Sequence, residues 1–145
     1  MYIKITVLFL RLSLAASFLS AVADRFGMWS KEVSVWGNWN NFVAYTQLIN
    51  PWFPQALISP IAFLCTIAEI VFAVCLLIGF KTKLVAKLSG YLLLAFALSM
   101  LFSTGAKAPL DYSVFSAAAA AFALSYINES FFEVDTLLKN KQNID

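Results

Sequence analysis

A chain of 145 residues that is 61% hydrophobic and only 12% charged, with a mean hydropathy of +0.80, is too apolar for a water-soluble domain of this size. Its net charge of +2 is scattered, with no Lys/Arg cluster, so the basic footprint of a nucleic-acid partner is missing. Histidine is absent, which removes bis-His haem, His-ligated metal and a His general base together.

The first apolar run, over 3–23, is long enough to cross about 30 Å of hydrocarbon as a helix. Lys4, the apolar stretch and Ala21-Val22-Ala23 have the outline of a secretory signal with an A-x-A site. Arg11 breaks that stretch, and the segment is expected to stay as a span.

The segment from Asp24 to Leu57 holds all four tryptophans, Trp29, Trp36, Trp39 and Trp52, residues that favour the headgroup zone of a bilayer. Within it Asn38 can cap a short helix in which Trp39, Phe42, Val43 and Ile49 recur near helical spacing, ended by Pro51 and Pro54. The pattern predicts an amphipathic segment lying on the outer leaflet. Two roles fit it: a lid over the mouth of a bundle, or an aromatic belt that only sets depth.

Three further apolar runs follow, over 58–78, 84–102 and 112–127, the last one short or continued into 130–132. Gly79 to Lys83 forms a tight turn of the antiparallel-hairpin kind, and Gly105 to Pro109 forms the other. Asp111 or Ser113 is placed to cap the fourth helix. The fold class is therefore all-α, an integral membrane four-helix bundle in one domain. The tail over 128–145 reads as an interfacial, cytoplasmic amphipathic segment.

Four crossings place both termini and the loop after the second helix on one side, with Lys4, Lys81, Lys83, Lys87, Lys139 and Lys141. Arg25, Lys31 and Lys107 fall on the other. This bias predicts cytoplasmic termini in a bacterial inner membrane.

Few residues in this chain can carry chemistry. Cys65 and Cys75 lie ten residues apart on one helix, about 15 Å and beyond disulfide reach, so both read as small buried apolar residues. Neither dinucleotide nor P-loop glycine pattern occurs, and nothing marks a haem, metal or nucleotide cofactor. The hydroxyls of Ser13, Ser17, Thr66, Ser89, Ser99, Ser103 and Ser116, with Ala117 to Ala121, supply small faces for close helix packing. Asp111-Tyr112-Ser113, at the outer start of the fourth helix, suits either the mouth of a polar cavity or a helix cap in the headgroup zone.

The strongest lead is a pair of charges inside the apolar runs. Arg11 lies roughly 12 Å from the start of its helix and Glu69 about 15 Å from the end that returns to the same side. Equal depth predicts an ion pair, because a lone charge in hydrocarbon costs several kcal/mol. Arg11 and Glu69 are thus the candidate catalytic residues, and Asp111, Tyr112 and Trp39 the candidate cofactor-binding mouth.

Leu10-Arg11-Leu12 with Phe18-Leu19, the aromatic stretch over 39–50, Thr66-Ile67-Ala68-Glu69-Ile70 followed by Leu76-Leu77-Ile78-Gly79, and Pro109-Leu110-Asp111-Tyr112-Ser113 together resemble the DoxX family of small membrane proteins. The resemblance covers about 8–126. It implies four membrane helices, with Arg11 and Glu69 on the family's characteristic positions, and kinship with the DoxD component of a thiosulfate:quinone oxidoreductase. No redox cysteine is carried over. On this basis the expected function is an accessory, quinone-binding subunit of a membrane redox complex, in which Arg11 donates to a quinone carbonyl and Glu69 relays a proton. Two other classes remain open: a scaffold subunit whose ion pair sets helix register, and a small-molecule or proton-coupled carrier, for which four crossings require a homodimer.

Overall fold

The computed structural model describes residues 1–129 and 131–134. Those residues form six helices and no strand: α1 (Tyr2–Arg25), α2 (Trp39–Ile49), α3 (Gln55–Ile78), α4 (Thr82–Thr104), α5 (Lys107–Asp111) and α6 (Val114–Tyr126). Three of them, α1, α3 and α4, are long and apolar enough to cross a membrane. With Phe9, Phe63, Leu64, Val71, Leu88 and Phe102 exposed on the outside of the bundle and arginines buried within it, the chain is a membrane protein. Its exterior matches lipid and its interior holds the polar groups.

Each boundary has a local cause. The α2 start is set by Asn38, whose side chain accepts from the Asn41 backbone N–H at 2.9 Å, satisfying a donor that the first turn leaves orphaned. α3 ends where Gly79 turns left-handed at φ 70°, a conformation that glycine adopts without steric penalty. α6 begins later than expected. Ser113 takes its N-cap position at φ 55° without a side-chain cap bond, and Asp111 closes α5 instead. The fourth segment ends at Tyr126, so its expected continuation into 130–132 is not helical in the described residues. The expected tail lies, beyond Val134, outside them.

Packing is uneven along the bundle. At the end where α1 starts and α3 stops, Val7, Leu14, Phe18, Leu76, Val85 and Leu124 form a continuous core with Ala15, Ala73, Ala86 and Ala121. α4 and α6 make the most extensive interface, because small residues let their backbones approach. A Cβ built on Gly90 would stand 2.8 Å from the Phe122 ring. α1 lies along α3, and it is this seam that carries the buried charges.

Gly79 serves both conformation and space: a Cβ there would stand 2.6 Å from Glu133 Cα and 2.7 Å from Arg11 Nη2. Gly105, at φ 92° with nothing within 4 Å of its Cβ position, carries only the conformational demand. Gly79→Ala is therefore expected to lower unfolding stability in detergent by more than the roughly 1 kcal/mol that a left-handed alanine costs, and Gly105→Ala by about that amount alone. Equal losses in thermal or denaturant melts would show that Arg11 and Glu133 yield freely at Gly79.

Candidate functional site

Arg11 and Glu69 do not pair. Glu69 is held instead by Arg25, the last residue of α1, through Nη1 to Oε2 and Nη2 to Oε1, the latter at 3.0 Å. Nη1 also donates to Thr66 Oγ1 at 2.7 Å, one turn along α3 from the carboxylate. Both side chains are only 3% exposed. A two-pronged guanidinium–carboxylate contact of this kind is the strongest form of ion pair and fixes geometry as well as charge.

The reason lies in the axial offset of α1 against α3 and in side-chain direction. On a helix the Cα–Cβ bonds tilt toward the N-terminus, so on antiparallel helices the side chains lean in opposite senses. Arg11 leans back toward the start of α1, whereas Glu69 leans toward the start of α3, at the other end of the bundle. The helices are also offset: Arg11 stands against Leu76 and Leu77 in the last turn of α3, about 10–12 Å along α3 from Glu69, and the opposite leans carry the charged ends farther apart. Arg25 lies about 21 Å farther along α1 than Arg11 at the usual rise, and leans back toward Glu69.

Arg11 has a different task. It is fully buried, and it donates through Nε to Leu76 O at 2.8 Å and through Nη2 to Leu77 O at 3.0 Å. These carbonyls belong to the last turn of α3, where the helix leaves acceptors unpaired and its dipole favours a cation. Nη1 reaches the C-terminal segment, meeting Phe131 O at 2.7 Å and Phe132 O at 3.1 Å, with the Glu133 carboxylate at 3.7 Å. Arg11 thus fastens the chain beyond α6 onto the end of α3.

Asp24, the neighbour of Arg25, is also buried. It accepts from Ser34 Oγ and from the backbone N–H groups of Val35 and Trp36, at 3.0 and 2.9 Å. That folds the loop after α1 back over its end and carries Trp36 to Arg25, whose guanidinium carbon is 5.4 Å from the Trp36 ring centre and 3.8 Å from that of Phe42. Cation–π contact on a desolvated arginine adds to the ion pair and seals it under two rings. Sequence reasoning treated Arg25 as an outer-surface charge. The signal available was the adjacent Asp24-Arg25 at the very end of an apolar helix, where a backward lean brings the arginine inside.

Between this cluster and α4 lies a cavity of about 610 Å³. Its wall is formed by Phe18 and Ala21 of α1, Tyr45 and Ile49 of α2, Ile61 and Cys65 of α3, Leu92, Phe96 and Met100 of α4, and Ala117 of α6, with Arg25 and Glu69 at its deep side. Exposed Trp52, Val35 and Tyr112 also border it, so it reaches the surface. α2 closes one side, tied to α4 where Ser99 Oγ donates to Asn50 Oδ1 at 3.0 Å. Of the expected mouth residues only Tyr112 is in this wall. Trp39 stacks on Phe26, with ring centres 6.1 Å apart, and Asp111 pairs with Lys107 on the outside. Cys65 and Cys75 are both free thiols, partly rather than fully buried, and only Cys65 borders the cavity. Among the described residues no group of His, Cys, Asp or Glu is arranged to hold a metal ion.

No family model, no curated protein and no solved structure matches this chain.

Arg25→Leu leaves the Glu69 carboxylate buried without its partner and is expected to cost about 3–5 kcal/mol, whereas Arg25→Leu with Glu69→Leu costs far less. A double-mutant cycle on melts in detergent measures this. Additive losses would mean that the two residues do not stabilise each other. Arg11→Leu removes charge-assisted bonds worth about 1.5–3 kcal/mol each from the end of α3 and from the C-terminal segment. Amide hydrogen exchange is expected to accelerate by about tenfold or more over 131–133 and at Phe80, with little change around Glu69. Unaltered exchange at 131–133 would refute the fastening role.

Proposed function

We propose that the chain is a DoxX-like protein of the bacterial inner membrane that holds a quinone-class molecule in the cavity between α1, α2, α3, α4 and α6, as an accessory subunit of a membrane redox complex. The observation that carries this reading is a hollow of about 610 Å³, walled by apolar side chains and bordered at depth by a buried Arg–Glu pair. Such volumes suit a small organic ligand, with apolar walls for its ring and chain. The role once given to Arg11 passes to Arg25 in this reading, and Glu69 keeps its place beside the ligand.

In the same reading α6 is the fourth crossing. It has 13 residues, about 20 Å of helix, and reaches the membrane faces with the non-helical residues on either side. α2 lies in the outer leaflet. Lys4, Lys81, Lys83 and Lys87, at the end where α1 begins and the described chain stops, support cytoplasmic termini. With Arg25 withdrawn into the bundle, the opposite end keeps only Lys31 and Lys107 of the three cations assigned to it, which strengthens the bias.

A scaffold reading has one observation in its favour. The Nη donors of Arg25 and every guanidinium nitrogen of Arg11 are spent on contacts that join one segment to another, as expected of charges that set register.

Protein extracted in mild detergent is expected to carry close to one quinone per chain, measured by chromatography and mass spectrometry of its organic extract. Ala21→Phe and Ala117→Phe, which fill the cavity from two walls, should each remove most of it while the fold persists. Wild-type protein from quinone-replete membranes that carries only background quinone would overturn the proposal. If the Arg25→Leu, Glu69→Leu double variant then still assembled with its partner subunits, the scaffold reading would stand in its place.

A further inference from the structure

The polar groups around the cavity are not equally available. Arg25 gives both Nη atoms to Glu69 and Thr66, and the pair is neutral as a unit. Thr46 Oγ1 donates to Phe42 O at 2.8 Å, Asn50 Nδ2 to Thr46 O at 2.9 Å, and Ser99 Oγ to Asn50 Oδ1. Arg25 Nε and Trp36 Nε1 lack partners among the described residues but are themselves buried, sealed where the Phe42 and Trp36 rings cover the guanidinium. The phenols of Tyr45 and Tyr112 are different. Both border the cavity, from α2 and from the turn before α6, and neither makes a hydrogen bond to any described residue.

We infer that the ligand lies with its polar end at the mouth, where the hydroxyls of Tyr45 and Tyr112 donate to a neutral acceptor oxygen of the carbonyl or ether class, and with its apolar part against Leu92, Phe96 and Ile61. This deepens the proposed function and rests on its reading of the cavity as a ligand site. Four arguments support the orientation. An ionised ligand would find no unbalanced countercharge, and a buried charge without one is costly. Among the described residues, only the mouth offers hydroxyl donors that a ligand can reach without breaking an existing bond, and an unmet donor beside a bound acceptor is the expensive outcome. Burial, followed by the neighbouring Tyr112, pushes the Tyr45 phenol above its ordinary value, so it remains a protonated donor. The deep wall from Leu92 to Met100 runs about 12 Å along α4, room for a short apolar chain.

Cys65 reports occupancy, because it borders the cavity while Cys75 does not. In Cys75→Ala protein reconstituted in nanodiscs, N-ethylmaleimide alkylation of Cys65 is followed with three probes of equal length: 2-undecanone, undecane and undecanoate. The ketone is expected to slow alkylation about fivefold more than the hydrocarbon, the share that one or two neutral hydrogen bonds carry, and undecanoate is expected to protect least. Tyr45→Phe with Tyr112→Phe should erase the ketone's advantage and leave the hydrocarbon's effect unchanged. Protection by undecanoate equal to the ketone's, equal protection by ketone and hydrocarbon in the parent protein, a ketone advantage that survives the double replacement, or a Cys65 that the reagent never reaches would each overturn the inference. Ketone protection in protein that carries no quinone would sink the quinone assignment and leave this orientation standing. Bound quinone with no ketone preference would do the reverse.

Discussion

A charge inside an apolar bundle cannot be left to itself, and the whole α2 end of this protein is organised around satisfying one. Arg25 and Glu69 join the last turn of α1 to the middle of α3, with Thr66 on a third bond and two aromatic rings closed over the guanidinium. Removing two ions from water is repaid only when geometry is good and further donors and acceptors are filled. The surroundings meet that demand in sequence: Asp24 pins the loop, the loop carries Trp36, and Trp36 with Phe42 of α2 shields the pair. α2 is therefore positioned by the ion pair as much as by its own apolar face.

The second buried arginine obeys the same rule by other means. Arg11 collects backbone carbonyls, two from the end of α3 and two from the segment after α6, with the Glu133 carboxylate nearby. A helix end in an apolar setting must find donors for its last carbonyls, and a guanidinium with five fixed N–H groups serves several at once. The absence of a side chain on Gly79 lets Arg11 and Glu133 close on this turn. The two arginines thus stitch α1 to α3 at different levels, one through a side-chain carboxylate and one through main-chain oxygens.

What the sequence disclosed follows from which physical signals are local. The apolar runs, the Asn38 cap, the break after Ile49 and the glycine turn at Gly79 depend on neighbours a few residues away, and the structure carries each of them. The Arg11–Glu69 pairing depended on comparing depths across two helices. Counting Cα rise took the two helix ends as level, whereas Arg11 stands against the last turn of α3, seven to eight residues from Glu69. It also treats a side chain as a point, whereas arginine extends along the helix in the direction of the N-terminus. Applied to Asp24-Arg25, the same rule would have turned Arg25 inward. Trp39 and Tyr112 show the complementary difficulty: both are aromatic residues near the same end, and nothing local says that one stacks on Phe26 while the other borders the cavity.

The cavity itself follows from the axial stagger of α1 and α3, two helices of 24 residues each that are offset along their seam. α1 ends at Arg25, whereas α3 continues past the level of that end toward Gln55 without its antiparallel neighbour. The space is taken over by α2, an eleven-residue helix with a different course, held to α4 by the Asn50–Ser99 bond. A short helix cannot reproduce the interdigitation that α1 achieves lower down, where alanines and large side chains alternate into a continuous core. The continuous core lies toward the start of α1, and the hollow opens where α2 joins Phe18 and Ala21 of α1 around it. The ion pair stands at the changeover, so the residue that ends α1 also sets how deep the hollow reaches.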